Sequence, residues 1–101
     1  MQVEEQVVTE QLSSVEAYLR EVSQMLEDDR PCQDILHQLN AIQHALGTAS
    51  SKLLRIEIER CLQVIRDNPC PEQRCKELER LLSLYSLSNK LSIKVSETSS
   101  R

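Results

Sequence analysis

Four cysteines are the residues best able to do chemistry in this 101-residue chain. They stand at positions 32, 61, 70 and 75, with spacings of 29, 9 and 5. No Cys-x-x-Cys occurs, so neither a zinc ribbon nor a thioredoxin-type redox pair is encoded. In an intracellular chain, such thiols serve as soft-metal ligands, reactive nucleophiles or small core residues more often than as structural disulfides. His37 and His44 lie one heptad apart, off the apolar seam described below, and suit solvated side chains better than a metal pair. No Ser–His–acid set or paired carboxylates stand out, and the expectation is a non-enzyme that requires no cofactor.

Helices must position these thiols. Leu12, Val15, Leu19, Val22 and Leu26 step by 3 and 4, which places them on one helical stripe. Thr9 suits the N-cap, where a side-chain oxygen accepts from an unpaired first-turn amide. Residues 1–8 then read as a disordered arm, and Asp28, Asp29 and Pro31 end the helix because the residue before a proline avoids the α region. Ile35, Leu39, Ile42, Leu46, Ala49, Leu53 and Ile56 form an unbroken heptad seam. Leu54, Ile58, Cys61, Leu62 and Ile65 add a second stripe near its end. Gly47 costs about 1 kcal/mol against Ala, too little to interrupt so regular a pattern from about Gln33 to Asp67. A third helix follows Asn68-Pro69-Cys70-Pro71, with Pro71 at its first position and Cys75, Leu78, Leu81, Leu82 and Tyr85 along it. From Ser88 onward Ser, Lys, Thr and Glu take over. Residues 89–101 read as a flexible tail, although Leu91, Ile93 and Val95 alternate as in a short strand. The expected fold class is all-α: a three-helix protomer over residues 9–88 with one long central helix.

That central helix would be about 50 Å long, far more than a compact chain of this size, with a radius of gyration of about 13 Å, can enclose. Its seam predicts helical partners, hence a homo-oligomer. Along the axis Cys32 and Cys61 would stand about 43 Å apart, too far for a disulfide within one chain, so they can meet only across subunits. A thiolate near a helix N-terminus, as at Cys32, is favoured by the helix dipole. Spacing leaves equal room for a plainer reading, with Cys61 a core residue and Cys32 an inert boundary thiol. Cys75 could approach Cys61 across the turn at 67–70, or could be a small apolar residue of the core. Cys70, between two prolines, is the most exposed thiol or a helix cap.

Composition narrows the function classes. Two Tyr with no Phe or Trp leave no stacking platforms for single-stranded nucleic acid. One Gly excludes a phosphate-cradling loop. No apolar run approaches the ~18 residues of a membrane span, and the acidic start lacks the order of a signal peptide, so a cytoplasmic protein is expected. The net charge of −4 is unevenly distributed. Residues 1–30 hold two basic and eight acidic residues, a net −6, while the last third is slightly basic. No segment offers the clustered Lys and Arg that drive DNA affinity by counterion release.

The run Glu27-Asp28-Asp29-Arg30-Pro31-Cys32-Gln33-Asp34-Ile35-Leu36, then Gln38 to Leu46, then Glu57-Ile58-Glu59-Arg60-Cys61 resembles the CsoR/RcnR-like family of small bacterial repressors. Members sense copper, nickel or cobalt, formaldehyde, or sulfane sulfur, and the resemblance spans roughly residues 10–88. It implies an all-α antiparallel dimer that assembles into a dimer of dimers, operator DNA as a partner, and a persulfide or metal ion as effector. It also implies a site made by Cys32 of one protomer and Cys61 of another, with Cu(I) or another thiophilic metal as a candidate ligand; Glu57, by its position, and Cys75, by its place across the turn from Cys61, are further candidate site residues. The family's copper branch carries a His four residues before the second Cys, where this chain has Glu57. Cu(I) prefers thiolate and imidazole to carboxylate, so the two-Cys pattern is closer to the persulfide-sensing branch. The family's basic first helix is also missing: Gln11-Leu12-Ser13-Ser14-Val15-Glu16 and Thr48 occupy the corresponding places. Phosphate contacts would fall instead to Lys52 and Arg55, with Lys90 and Lys94. The implied function is a thiol-based transcriptional regulator. The alternative is a member that has lost DNA binding and acts as a thiol-, metal- or partner-binding helical oligomer.

Overall fold

In a computed structural model, described over residues 2–93 and for side chains from residue 4, the chain forms three helices: α1 (Gln2–Glu27), α2 (Cys32–Asp67) and α3 (Pro71–Leu91). No strand occurs among the described residues, and the fold class is all-α as expected. Met1–Ala49 and Ser50–Arg101 make two compact units.

The first unit pairs α1 with the first part of α2. Val15, Val22 and Met25 from α1 meet Ile35 and Ile42 from α2 in one buried cluster, with Ala45 packed against it. The connection between the helices is short because α1 ends in a Schellman motif. The Arg30 amide donates to the Met25 carbonyl at 3.0 Å and the Asp29 amide to the Leu26 carbonyl at 3.3 Å. Asp29 takes the left-handed conformation, φ 55°, that glycine usually fills and that Asp tolerates better than most side chains. The Pro31 carbonyl then accepts from the Asp34 and Ile35 amides as α2 begins.

α1 starts earlier than the Thr9 cap implies. Residues 2–8 belong to the helix and do not form a separate arm. Val8, Val15 and Val22 are all buried, so the heptad carries on through Val8 and outweighs the cap signal. Thr9 sits inside the helix, where its hydroxyl donates back to the Glu5 carbonyl at 3.0 Å, the ordinary arrangement for a mid-helix threonine.

The second unit packs the end of α2 on α3. Leu54, Ile58, Cys61 and Leu81 form its buried cluster, flanked by Ile65, Leu84 and Ile93. Cys70 holds the N-cap position of α3 with extended backbone, but its side chain makes no cap hydrogen bond. Before the helix, Asn68 forms an Asx-type turn, its Oδ1 accepting from the Cys70 amide at 2.9 Å. α3 continues through Leu91, three residues past Ser88, and ends with Ser92 in the left-handed region. Leu91 is therefore helical, and the strand signal at 91–95 fails as far as it is described; Val95, Lys94 and the rest of the tail lie outside the described residues.

The heptad seams divide in a regular way. Of the α2 seam, Ile35, Ile42, Ala49 and Ile56 are buried, whereas Leu39, Leu46 and Leu53 keep 38%, 42% and 51% of their surface. On α1 Val8, Val15 and Val22 are buried and Leu12, Leu19 and Leu26 are exposed. The protomer thus packs its β-branched set and leaves a leucine set at the same spacing uncovered.

Candidate thiol site

Cys32 is the first residue of α2, and its side chain is exposed. Cys61 lies one turn and a half before the end of the same helix and has no exposed surface. The reason is local: Ile58 and Leu54 sit on the same face of α2, and Leu81 of α3 closes over it. All four cysteines are free thiols. Cys75 is exposed on α3, outside the cluster that encloses Cys61, so the structure does not make it an intrachain partner. Nor is it a core residue. Cys70 is likewise exposed.

Charged groups crowd one side of Cys61. Arg80 of α3 approaches its Sγ with Nη1 at 4.0 Å and donates through Nη2 to Oε2 of Glu57, one helical turn before the thiol. The other Glu57 oxygen accepts from Arg60 at 2.9 Å. Glu77, one turn before Arg80, stands 3.9 Å from Nη1. Burial pushes the Cys61 thiol above its ordinary titration range. A hydrogen bond to Glu77 and the charges of Glu77 and Glu57 add to that, while Arg80 opposes it. Cys61 is accordingly a neutral thiol at physiological pH. Arg80 is held even more firmly protonated than usual, chiefly by its hydrogen bond to Glu57.

Glu57 also lines an open apolar groove of about 380 Å³ with Ser50, Leu53, Leu54, Leu84 and Ile93. Lys52 is half-buried and Arg55 exposed on the same stretch of α2, and His37 and His44 are exposed in the first unit. Arg80 and Glu77 were not legible as site residues. Arg80 follows Glu57 by 23 positions, so no local spacing connects them, and only the packing of α3 on α2 does.

The family described as metal-sensitive transcriptional repressor matches residues 4–84. This chain belongs to that family. The copper-sensing transcriptional repressor CsoR of Bacillus subtilis (strain 168) is 32% identical over 75 residues, which cover 74% of each protein. No solved structure matches the chain at comparable significance. The CsoR/RcnR-like resemblance of the sequence is thereby established, and the family is one of transcriptional repressors, not of enzymes. No described helix is long and apolar enough to cross a membrane.

Membership in a metal-sensitive family raises the question of which residues would hold an ion. Among the described residues of one chain, no three His, Cys, Asp or Glu side chains are grouped to hold a metal. Glu57, at the place of the copper branch's imidazole, has both oxygens engaged by arginines. A carboxylate so neutralised is a poor third ligand for a soft ion. The donors of a single protomer therefore do not fit a three-coordinate metal centre.

Proposed function

We propose that this chain is a cytoplasmic, homo-oligomeric transcriptional regulator that senses sulfane sulfur through Cys32 of one copy and Cys61 of another. The observation that carries this reading is the state of Glu57. With its carboxylate committed to Arg60 and Arg80, the site offers two thiols and no third soft donor. Two thiols alone suit sulfur transfer. Oligomerisation as an antiparallel dimer, and then a dimer of dimers, is supported by the uncovered leucine set on α1 and α2, which repeats at the heptad spacing of helix–helix seams.

The exposed Cys32 acts first. Its thiolate attacks the sulfane sulfur of a persulfide R–S–SH, forming Cys32–S–SH and releasing R–SH. Cys61 of the second copy then attacks the Cys32 sulfur, forming a Cys32–Cys61 disulfide and releasing hydrogen sulfide. The persulfide supplies the two-electron oxidation, and the two thiol protons leave on the departing thiol and sulfide. The cross-link joins two helices covalently and biases the oligomer between two packings.

Treatment with an organic persulfide followed by non-reducing mass analysis tests this. A dimer linked through Cys32 and Cys61 is expected, absent from Cys32→Ser and from Cys61→Ser. Persistent unlinked monomers overturn the reading. Similarity to CsoR favours a second reading, Cu(I) bound by the same two thiols; competition against a Cu(I) chelator separates the two. A gel shift on the protein's own promoter at low salt tests whether Lys52 and Arg55 suffice for DNA. No shift at micromolar protein favours the alternative of a helical oligomer that has lost its operator.

A further inference from the structure

Two carboxylates and a thiol of the second unit face one guanidinium. Arg80 donates to Glu57, lies 3.9 Å from the Glu77 carboxylate and 4.0 Å from the Cys61 sulfur. One thiol and two carboxylates form a donor set that a borderline divalent ion such as Co(II) or Zn(II) accepts. In this protein the cation at their centre is a side chain. We propose that Arg80 is the residue that sets ligand choice at Cys61, its guanidinium occupying the place a divalent metal would need among Glu57, Glu77 and Cys61.

Three features support the assignment. The sulfur and the Glu77 oxygen stand 4.0 and 3.9 Å from Nη1, whereas a metal draws its ligands to about 2.0–2.3 Å. The donors thus stand at ion-pair and hydrogen-bond distance around a guanidinium, not at metal-bond distance around an ion, in keeping with the lack of a metal-holding group among the described residues. Second, arginine does not give up its proton under biological conditions, so no change of pH vacates the position as it could for a lysine or histidine. Third, the Glu57 carboxylate that could bring in an ion from the open groove is the one Arg80 binds most closely. Closing this set leaves thiol-only chemistry at Cys61. The inference deepens the thiol-sensor reading but rests on the geometry of the second unit alone.

The test uses the full chain in a Cys32→Ser background, so that the cross-subunit thiol pair is absent and its fate does not affect the result. Anaerobic titration with Co(II) reads the thiolate-to-cobalt charge-transfer band. The chain with Arg80 is expected to show no band that depends on Cys61. Arg80→Met is expected to gain one, with Co(II) bound about 10–100-fold more tightly, the range by which partners of ligating side chains alter metal affinity. The band should vanish when Cys61→Ser is added. Should Arg80→Met lose helicity by circular dichroism, Co(II) is expected to restore it and Mg(II) is not. A Cys61-dependent band with Arg80 in place overturns the proposal. So does an Arg80→Met chain that shows neither the band nor recovery of helicity with Co(II).

Discussion

Deleting the buried sulfur should destabilise the protein at neutral pH and cost less at high pH. Cys61→Ala removes one heavy atom from a site with no exposed surface, a change worth about 1 kcal/mol, by analogy with removing one buried methylene. The pH dependence follows from the thiol's proton. Burial first, then the hydrogen bond and charge of Glu77, raise its titration in the folded chain. Above about pH 8.5, where an unfolded thiol ionises, folded Cys61 still holds its proton. The folded state then binds more protons than the unfolded one, so stability falls as pH rises, by at most about 1.4 kcal/mol per pH unit for one group. Below that range both states are protonated and the contribution is fully present. The advantage of the wild type over Cys61→Ala, about 1 kcal/mol near pH 7, should therefore shrink as pH rises past about 8.5. Urea unfolding followed by circular dichroism across this range measures it. Both proteins are kept reduced and at equal concentration, because assembly adds to apparent stability. Lysines, tyrosines and the other three thiols titrate in both proteins and cancel in the difference. A gap that stays constant with pH would refute the argument that Cys61 is held neutral by its surroundings.

Two further outcomes follow from the helices. Gly47 lies inside α2 with nothing within 4 Å of where a Cβ would stand, so Gly47→Ala should raise unfolding stability by about 0.5–1 kcal/mol; a loss in urea denaturation counts against it. Leu39 and Leu46 are 38% and 42% exposed, so the pair Leu39→Ala and Leu46→Ala should leave helicity intact yet weaken self-association, since a fully buried leucine contributes about 1.5–3 kcal/mol. Sedimentation equilibrium reads this, and an unchanged association constant would show that the leucine set is not an interface.

The helices were legible because apolar spacing and helix period coincide over long stretches, and the start of α2 within one residue of expectation reflects the strong stop at Pro31 and the uninterrupted seam from Ile35. The start of α1 was not, because Thr9 imitates a cap while Val8 continues the heptad. Nor does a heptad say which of its two apolar positions a protomer buries; the division into buried Val and Ile and exposed Leu depends on which face the neighbouring helix covers. At the thiol site, the place of Cys32 at the start of α2, that of Cys61 near its end, and the Glu57 substitution were all readable. The burial of Cys61 was visible only as one of two readings. Its charged neighbours on α3 were invisible, since an ion pair spanning 23 residues leaves no periodic trace.

The contrast between the two thiols bears directly on how a chemical event could change the shape of the protein. An exposed Cys32 can meet a small sulfur donor without any rearrangement, so the first step of the proposed reaction reports nothing to the fold. The second step differs. Cys61 is sealed by Leu54, Ile58 and Leu81 and held as a neutral thiol beside Glu77, and no second sulfur can reach it until α3 shifts from α2. Reaching it therefore disturbs the buried cluster of the second unit and the Arg80–Glu57 pair that spans the same two helices. In the proposed reaction the disulfide would hold Cys61 out of that cluster, so that the opened packing would persist after the sulfur donor has gone. On the proposed mechanism, the burial that makes Cys61 look like an ordinary core residue is what would couple its oxidation to a change of helix packing.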